Sequence, residues 1–80
     1  MKDVQIPKMG MSTVEVDVLR VLVREGQRVE PDAIVVEIES EKANYEIEAG
    51  VGGTIAEVLV SEGDVRQVGD VVVRIEEDAS

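Results

Sequence analysis

Apolar and polar residues alternate along two segments near the middle of the chain, Ile34–Glu39 and Asn44–Glu48. Successive side chains of a strand point to opposite faces, so this alternation predicts two strands that each have one buried face. Further apolar runs predict strands over residues 4–7, 18–23, 55–60 and 71–75. No stretch shows a sustained helical period, which favours an all-β protein.

Turn-forming residues separate these runs. Glycine tolerates positive φ and proline fixes φ, so clusters that contain them are typical of tight turns. The predicted turns lie at Glu25-Gly26, Pro31-Asp32, Glu62-Gly63-Asp64 and Gly69-Asp70. We also expect a flexible crossing between two halves of the chain at Gly50, Gly52 and Gly53.

The two halves resemble one another at an offset of 37 residues. Nine of the 22 positions in 21–42 are identical to their counterparts in 58–79. Two similar halves predict quasi-two-fold symmetry, because a repeat array needs at least about three units. We therefore expect a flattened β-barrel, or barrel-sandwich hybrid, of two four-stranded antiparallel sheets, one sheet per half. Residues 1–80 are expected to form a single domain with a core at about 4–77, and 78–80 to begin a linker or tail.

The two alternating segments predict a hairpin. The predicted pairs are Ser40 with Ala43, Glu39 with Asn44, Ile38 with Tyr45, Glu37 with Glu46, and Val36 with Ile47. This register puts the apolar side chains on one face and the polar ones on the other, and a slip of one residue would mix them. Lys42 falls at the tip and is expected to point into solvent. Glu41-Lys42 is not a sequence that two-residue hairpin turns prefer, so a type I turn with a bulge is an alternative.

Composition narrows the classes of function. A net charge of −10 argues against nucleic acid and anionic membrane surfaces as partners, because both are negatively charged. Cysteine and histidine are absent, so thiolate chemistry and the commonest general base and metal ligand are excluded. Met1 leads directly into a charged residue with no apolar signal region, so we expect a cytoplasmic bacterial protein, or a mitochondrial matrix protein whose targeting segment was removed.

Several segments resemble the lipoyl domains of 2-oxo acid dehydrogenase acyltransferases. Glu39-Ser40-Glu41-Lys42-Ala43 is similar to the lipoyl attachment motif, although Glu41 stands where Asp is commoner. The resemblance covers about residues 4–77, and 12–18 looks slightly longer than in many members. In the family, that loop lies beside the attachment hairpin and contributes to recognition by the decarboxylase. The other similar segments are Ile6-Pro7-Lys8-Met9-Gly10-Met11, Val21-Leu22-Val23-Arg24-Glu25-Gly26 and Ala49-Gly50-Val51-Gly52-Gly53-Thr54-Ile55.

The resemblance implies that Lys42 carries covalently attached lipoate, and that Glu39, Ser40, Glu41 and Ala43 form the motif around it. The implied role is a swinging arm for acyl groups and reducing equivalents in a 2-oxo acid or acetoin dehydrogenase complex. The implied partners are a lipoate-attaching enzyme, a thiamine-diphosphate decarboxylase, an acyltransferase core and a dihydrolipoyl dehydrogenase. The domain would not be an enzyme on its own, and in isolation it is expected to be a monomer.

Two other readings remain open from the sequence. A biotin carrier domain of a carboxylase has the same expected fold, but normally places Met on both sides of its lysine, whereas Glu41 and Ala43 flank Lys42. The second is an unmodified barrel-sandwich adaptor in which Lys42 is an ordinary turn lysine, because a shared fold does not establish a shared function.

Overall fold

The computed structural model describes residues 1–8, 15–41 and 43–78, which form eight strands. In chain order the strands are β1 (Lys2–Gln5), β2 (Glu15–Val21), β3 (Arg28–Val29), β4 (Ile34–Glu39), β5 (Asn44–Glu48), β6 (Gly53–Val58), β7 (Val65–Gln67) and β8 (Val71–Glu77). These ranges contain no helix that could cross a membrane. The prediction of an all-β protein is confirmed.

Two four-stranded antiparallel sheets make up the fold, as predicted. The strand orders are β1-β8-β6-β3 and β5-β4-β2-β7. The prediction of one sheet per half is wrong, because β1 lies in the sheet with β6 and β8, and β3 and β7 each join the sheet that contains the two long strands of the other half. The turns before these strands account for the exchange: the Gly26 N–H donates to the Ile55 carbonyl, and the Gly63 N–H donates to the Val18 carbonyl, each over 2.8 Å.

Strand register follows the quasi-two-fold symmetry that the repeat predicts. Val18 pairs with Ile38 in one sheet, and Ile55 pairs with Ile75 in the other, each residue being 37 positions from its counterpart. The pairing register shifts by one residue after Val18 on β2, and the same shift recurs after Ile55 on β6. The symmetry therefore extends from the sequence to individual backbone pairs.

A second pair of related bulges breaks the alternation on β4 and β8. Between Ile34 and Val36, β4 advances two residues while β5 advances one, so Val35 is an extra residue in the ladder. Val35 and Val36 are both fully buried, although strict alternation would place them on opposite faces. Val72 and Val73 on β8 repeat this arrangement.

A single apolar cluster unites the two sheets. Its members are almost all Val and Ile, whose branched side chains are stiff and pack well on a pleated surface. The largest fully buried side chains among them are those of Ile6, Val18, Val35, Val36, Ile38, Ile55, Val72, Val73 and Ile75. The apolar faces of the two sheets therefore point to the same interior.

The glycine-rich crossing is closely packed at one position. Gly53 opens β6, and a Cβ there would collide with the backbone carbonyl of Glu76 on β8. The expectation of a flexible crossing is therefore wrong at Gly53, which is required by the close approach of two strands. Gly50, by contrast, has a φ of 79°, a conformation that glycine adopts readily.

Asp78, the last described residue, is tied to the body of the domain. Its backbone N–H donates to the Gly52 carbonyl over 3.0 Å. The Arg28 guanidinium donates to both carboxylate oxygens of Asp78, over 2.7 and 2.6 Å. This bidentate ion pair lowers the pKa of the Asp78 carboxyl and raises the pKa of Arg28. The folded region thus reaches at least to Asp78.

Candidate functional site

Strands β4 and β5 form the hairpin in the register that the sequence predicts. Glu39 pairs with Asn44, and Ile38 with Tyr45. The pairs of Glu37 with Glu46 and of Val36 with Ile47 continue the ladder. Ile38, Val36 and Ile47 are buried and Tyr45 is half-buried, whereas Glu39, Asn44 and Glu46 are exposed. The predicted sorting of the two faces is confirmed.

Ser40 and Ala43 close the hairpin end. The Ser40 N–H donates to the Ala43 carbonyl over 2.8 Å, and its hydroxyl donates to the same oxygen over 3.1 Å. Only two residues, Glu41 and Lys42, stand between this closing pair in the chain. Glu41 and Ala43, on either side of Lys42, are exposed.

Some of the predicted site residues lie outside the described ranges. They include Lys42 itself, so the expected direction of its side chain stays a prediction. The Met9-Gly10-Met11 part of the opening motif and residues 12–14 of the longer loop also lie outside them. The structure therefore describes the strands and closing residues around the candidate site, and not the candidate attachment residue.

The conformation of Glu41 restricts the turn. The hairpin turns of types I′ and II′ require positive φ at the first central position, which is Glu41 here. Every described residue with positive φ is a glycine, so Glu41 has none. The preferred two-residue hairpin turns are thereby excluded, in agreement with a tip sequence that lacks Asn-Gly or Asp-Gly.

Negative charge is concentrated on the outer face of the hairpin. Glu39, Glu41 and Glu46 are exposed, and among the described residues none of them has an ion-pair partner. Glu37 accepts a hydrogen bond from Arg20 on β2 over 3.2 Å. A partner that approaches this face would meet carboxylates that little positive charge offsets, and such a field favours basic surfaces.

The symmetry-related face of the other sheet is more nearly balanced. Arg74, the counterpart of Glu37, donates to Asp3 over 3.2 Å and to Glu57 over 3.0 Å. The Glu57 hydrogen bond and the charges of both carboxylates raise the pKa of Arg74. The two faces share a backbone plan but differ in charge, and the acidic one carries the hairpin.

Ser40 is the residue whose role the sequence pattern did not reveal. It is 9% exposed and is a buried polar residue of the described chain. Val36 and Ile38 point inward, and Ser40 follows two residues later, so the alternation of the strand does indicate that Ser40 is buried.

The described residues contain no cluster of acidic, histidine or cysteine side chains suited to a metal ion.

Comparison with known proteins agrees with the fold and the hairpin. At 36% identity over 72 residues, the chain is similar to the dihydrolipoyllysine-residue acetyltransferase component of the pyruvate dehydrogenase complex from Staphylococcus epidermidis and Staphylococcus aureus. The alignment covers 90% of this chain and 17% of those relatives, so the chain spans about a sixth of their length.

A solved structure is similar over almost its whole length. It is the solution structure of the lipoyl domain of the 2-oxoglutarate dehydrogenase complex from Azotobacter vinelandii. The TM-score is 0.78 at 28% identity, and the match covers 96% of this chain and 98% of that one. The model of the biotin and lipoyl family, described as "Biotin-requiring enzyme", matches residues 2–75. On this evidence the chain belongs to the biotin/lipoyl family.

Proposed function

We propose that the chain is a lipoyl carrier domain of a 2-oxo acid dehydrogenase complex, with Lys42 as the attachment residue. The observation that carries the proposal is the tightly closed end of the β4–β5 hairpin. Its closing pair leaves two residues between Ser40 and Ala43, and the neighbours of Lys42 are exposed. A modifying enzyme must reach one amine from solvent, and an exposed hairpin tip suits that requirement.

The residues beside Lys42 favour lipoate over biotin. Biotin carriers resemble this fold but place Met next to the modified lysine, whereas this chain has Glu41 and Ala43. Glu39 and Glu41 add negative charge on the N-terminal side of the lysine, and both are exposed. A ligase that reads the shape and charge of the tip would therefore meet a surface unlike that of a biotin carrier.

The residues present fit a covalently tethered group. Attachment joins the Lys42 Nζ to the carboxyl carbon of an activated lipoyl donor such as a lipoyl adenylate. The bond from that carbon to the phosphate oxygen breaks, AMP leaves and the nitrogen loses a proton. When bound, lipoate supplies a dithiolane that carries an acyl group and two electrons. The remaining task of the chain is mechanical: the buried core holds the hairpin in one register while the exposed tip meets partner active sites.

The partners follow from the proposed role. They are a lipoate-attaching enzyme, a thiamine-diphosphate 2-oxo acid decarboxylase, an acyltransferase core and a dihydrolipoyl dehydrogenase. A tethered intermediate keeps a high effective concentration at each of these active sites. In this proposal the domain carries substrate and the partners supply the catalytic groups.

Intact-mass analysis tests the chemical class of the modification. The purified chain is incubated in parallel with a lipoate ligase, lipoate and ATP, and with a biotin ligase, biotin and ATP. We expect the mass of one lipoyl group in the first reaction and no change in the second, with peptide mapping placing the group on Lys42. Biotinylation without lipoylation would contradict the assignment, and so would the absence of any addition.

The substrate class is tested on the lipoylated chain. Decarboxylases specific for pyruvate and for 2-oxoglutarate are each supplied with their own 2-oxo acid and thiamine diphosphate. We expect a further mass gain of one acyl group with at least one of them, because both classes of complex use domains similar to this one. Free lipoamide at the same concentration is the control, and equal rates for free and tethered lipoamide would argue against recognition of the domain.

A further inference from the structure

Ser40 occupies a position where the strand pattern calls for an apolar side chain. Val36, Ile38 and Ser40 follow one another on the inward face of β4, and all three are buried. Removing a hydroxyl from water is costly unless it forms hydrogen bonds. Ser40 forms them with the residue on the other side of the tip, which suggests a role there.

The Ser40 hydroxyl bridges the two ends of the tip. It donates to the Ala43 carbonyl over 3.1 Å and accepts from the Ala43 N–H over 3.4 Å. Together with the backbone bond of 2.8 Å from Ser40 to Ala43, these contacts hold both polar groups of the Ala43 backbone. The segment between Ser40 and Ala43 is therefore fixed at both ends, which reduces its conformational freedom.

The other half of the domain provides a natural contrast. The counterpart of Ser40, 37 residues later, is Glu77, which ends β8 and is exposed. The residue after it, Asp78, is instead bonded to the Gly52 carbonyl and to the Arg28 guanidinium. The buried hydroxyl thus occurs in the half that has a hairpin tip to hold, although the strands on which the two residues lie are closely related.

We propose that Ser40 is a positioning residue for the attachment reaction. Its hydroxyl limits the motion of the two-residue tip, so that the lipoate-attaching enzyme binds a preorganised segment rather than ordering it on contact. The inference depends on the proposed function, since it concerns the presentation of Lys42. Preorganisation lowers the cost of binding, so loss of the hydroxyl should weaken recognition and leave the chemical step unchanged.

Steady-state kinetics with a lipoate ligase test this role. The substrates are the unaltered chain, Ser40→Thr, which keeps a hydroxyl, and two variants without one, Ser40→Val and Ser40→Ala. Val matches Thr in shape, so this pair isolates the hydroxyl. For Val and Ala we expect KM for the domain to rise about three- to tenfold with kcat within about twofold, as loss of one such hydrogen bond implies. Thr should restore the unaltered KM.

A core variant separates positioning from stability. Ile38→Val removes one buried methylene on the same strand and leaves the tip bonds in place. We expect it to lower the Tm without changing KM. If KM rises in Ile38→Val as much as in Ser40→Ala at a comparable loss of Tm, or if Ser40→Val and Ser40→Ala keep the unaltered KM, the positioning role is overturned.

Amide exchange at Ala43 provides a second readout that does not require the ligase. In the unaltered chain the Ser40 hydroxyl accepts from the Ala43 N–H, so exchange of this amide should become faster in Ser40→Ala and recover in Ser40→Thr. Unchanged exchange in Ser40→Ala would overturn the proposed restraint. The failure of the carrier function itself would look different, because the unaltered chain would not be lipoylated at Lys42 at all.

Discussion

Glu37 and Glu46 lie directly opposite one another on β4 and β5, whereas the corresponding pair in the other sheet is Arg74 with Asp3. Like charges in directly opposed cross-strand positions are destabilising, and opposite charges are favourable. Arg20 partly offsets the repulsion by its bond to Glu37. The hairpin therefore keeps its register through its buried face, in spite of an unfavourable pair on its outer face.

Reversing one charge of this pair should stabilise the domain. For Glu46→Lys we expect a gain in the free energy of unfolding of about 0.2–1 kcal/mol at low salt, since an attractive pair replaces a repulsive one. The gain should shrink as salt screens the charges. Urea unfolding followed by the fluorescence of Tyr45, the one aromatic residue of the chain, measures it.

A second charge reversal controls for the change in net charge. Glu48 is exposed on the same strand but pairs with Ile34, so Glu48→Lys alters the net charge equally without affecting an opposed carboxylate. We expect a smaller gain. Equal gains for the two variants would attribute the effect to the overall charge of −10 and not to the Glu37–Glu46 pair.

Gly53 should tolerate substitution far less well than its neighbour. A Cβ at Gly53 meets the Glu76 backbone, so Gly53→Ala must push β6 and β8 apart at a cost of about 1–3 kcal/mol. At Gly52 the nearest atom is Asp78 Oδ2 at 3.3 Å, the end of a side chain, and we expect roughly 0.5 kcal/mol. Thermal and urea unfolding compare the two variants, and similar losses would contradict the close approach of the strands.

Two symmetry-related turns should differ in how their stability depends on pH: the turn that contains Asp64 should be sensitive to pH, and the turn that contains Gln27 should not. Asp64 accepts from the Ser61 N–H over 2.9 Å, and its counterpart Gln27 accepts from the Arg24 N–H over 3.2 Å. The Ser61 bond, aided by Arg66, lowers the pKa of the Asp64 carboxyl from its ordinary value of 3.8. The neutral amide of Gln27 has no such dependence.

The sign of the effect follows from the lowered pKa. A carboxyl with a depressed folded-state pKa stabilises the fold above its ordinary value, and the contribution is lost as the pH falls through the folded-state pKa. We therefore expect Asp64→Asn to be less stable than the unaltered chain at pH 7, with the difference shrinking below about pH 4. Urea unfolding at pH 7 and pH 3 measures it, and a difference that stays constant would show that the Asp64 charge has no part in the turn.

The sequence was enough to predict the parts of the fold in which apolar residues alternate or in which the sequence repeats. Alternation in β4 and β5 was enough to predict the pairing of Ile38 with Tyr45, since any slip would have buried glutamates. The 37-residue offset was enough to predict two related sheets. Because β3 and β7 have two and three residues, no period could reveal them or the exchange of strands between the sheets.

Other features depend on contacts that one segment does not encode. Val35 is buried because β5 lacks a residue opposite it, and the apolar run alone gives no sign of this bulge. The close packing of Gly53 is not visible in the sequence, because the position of Glu76 depends on how β8 packs beside β6. At the candidate site the motif and its register could be predicted, whereas the hydroxyl bridge from Ser40 to Ala43 is visible only in the three-dimensional structure.

Replacing Lys42 tests the central claim most directly. The chain has three lysines, Lys2, Lys8 and Lys42, so Lys42→Arg can be compared with the double variant Lys2→Arg/Lys8→Arg under identical treatment with lipoate ligase. All three proteins should show the same Tm, since arginine keeps the charge. Intact mass should show one lipoyl group on the unaltered chain and on the double variant, and none on Lys42→Arg. A lipoyl group on folded Lys42→Arg would contradict the assignment of the hairpin tip as the attachment site.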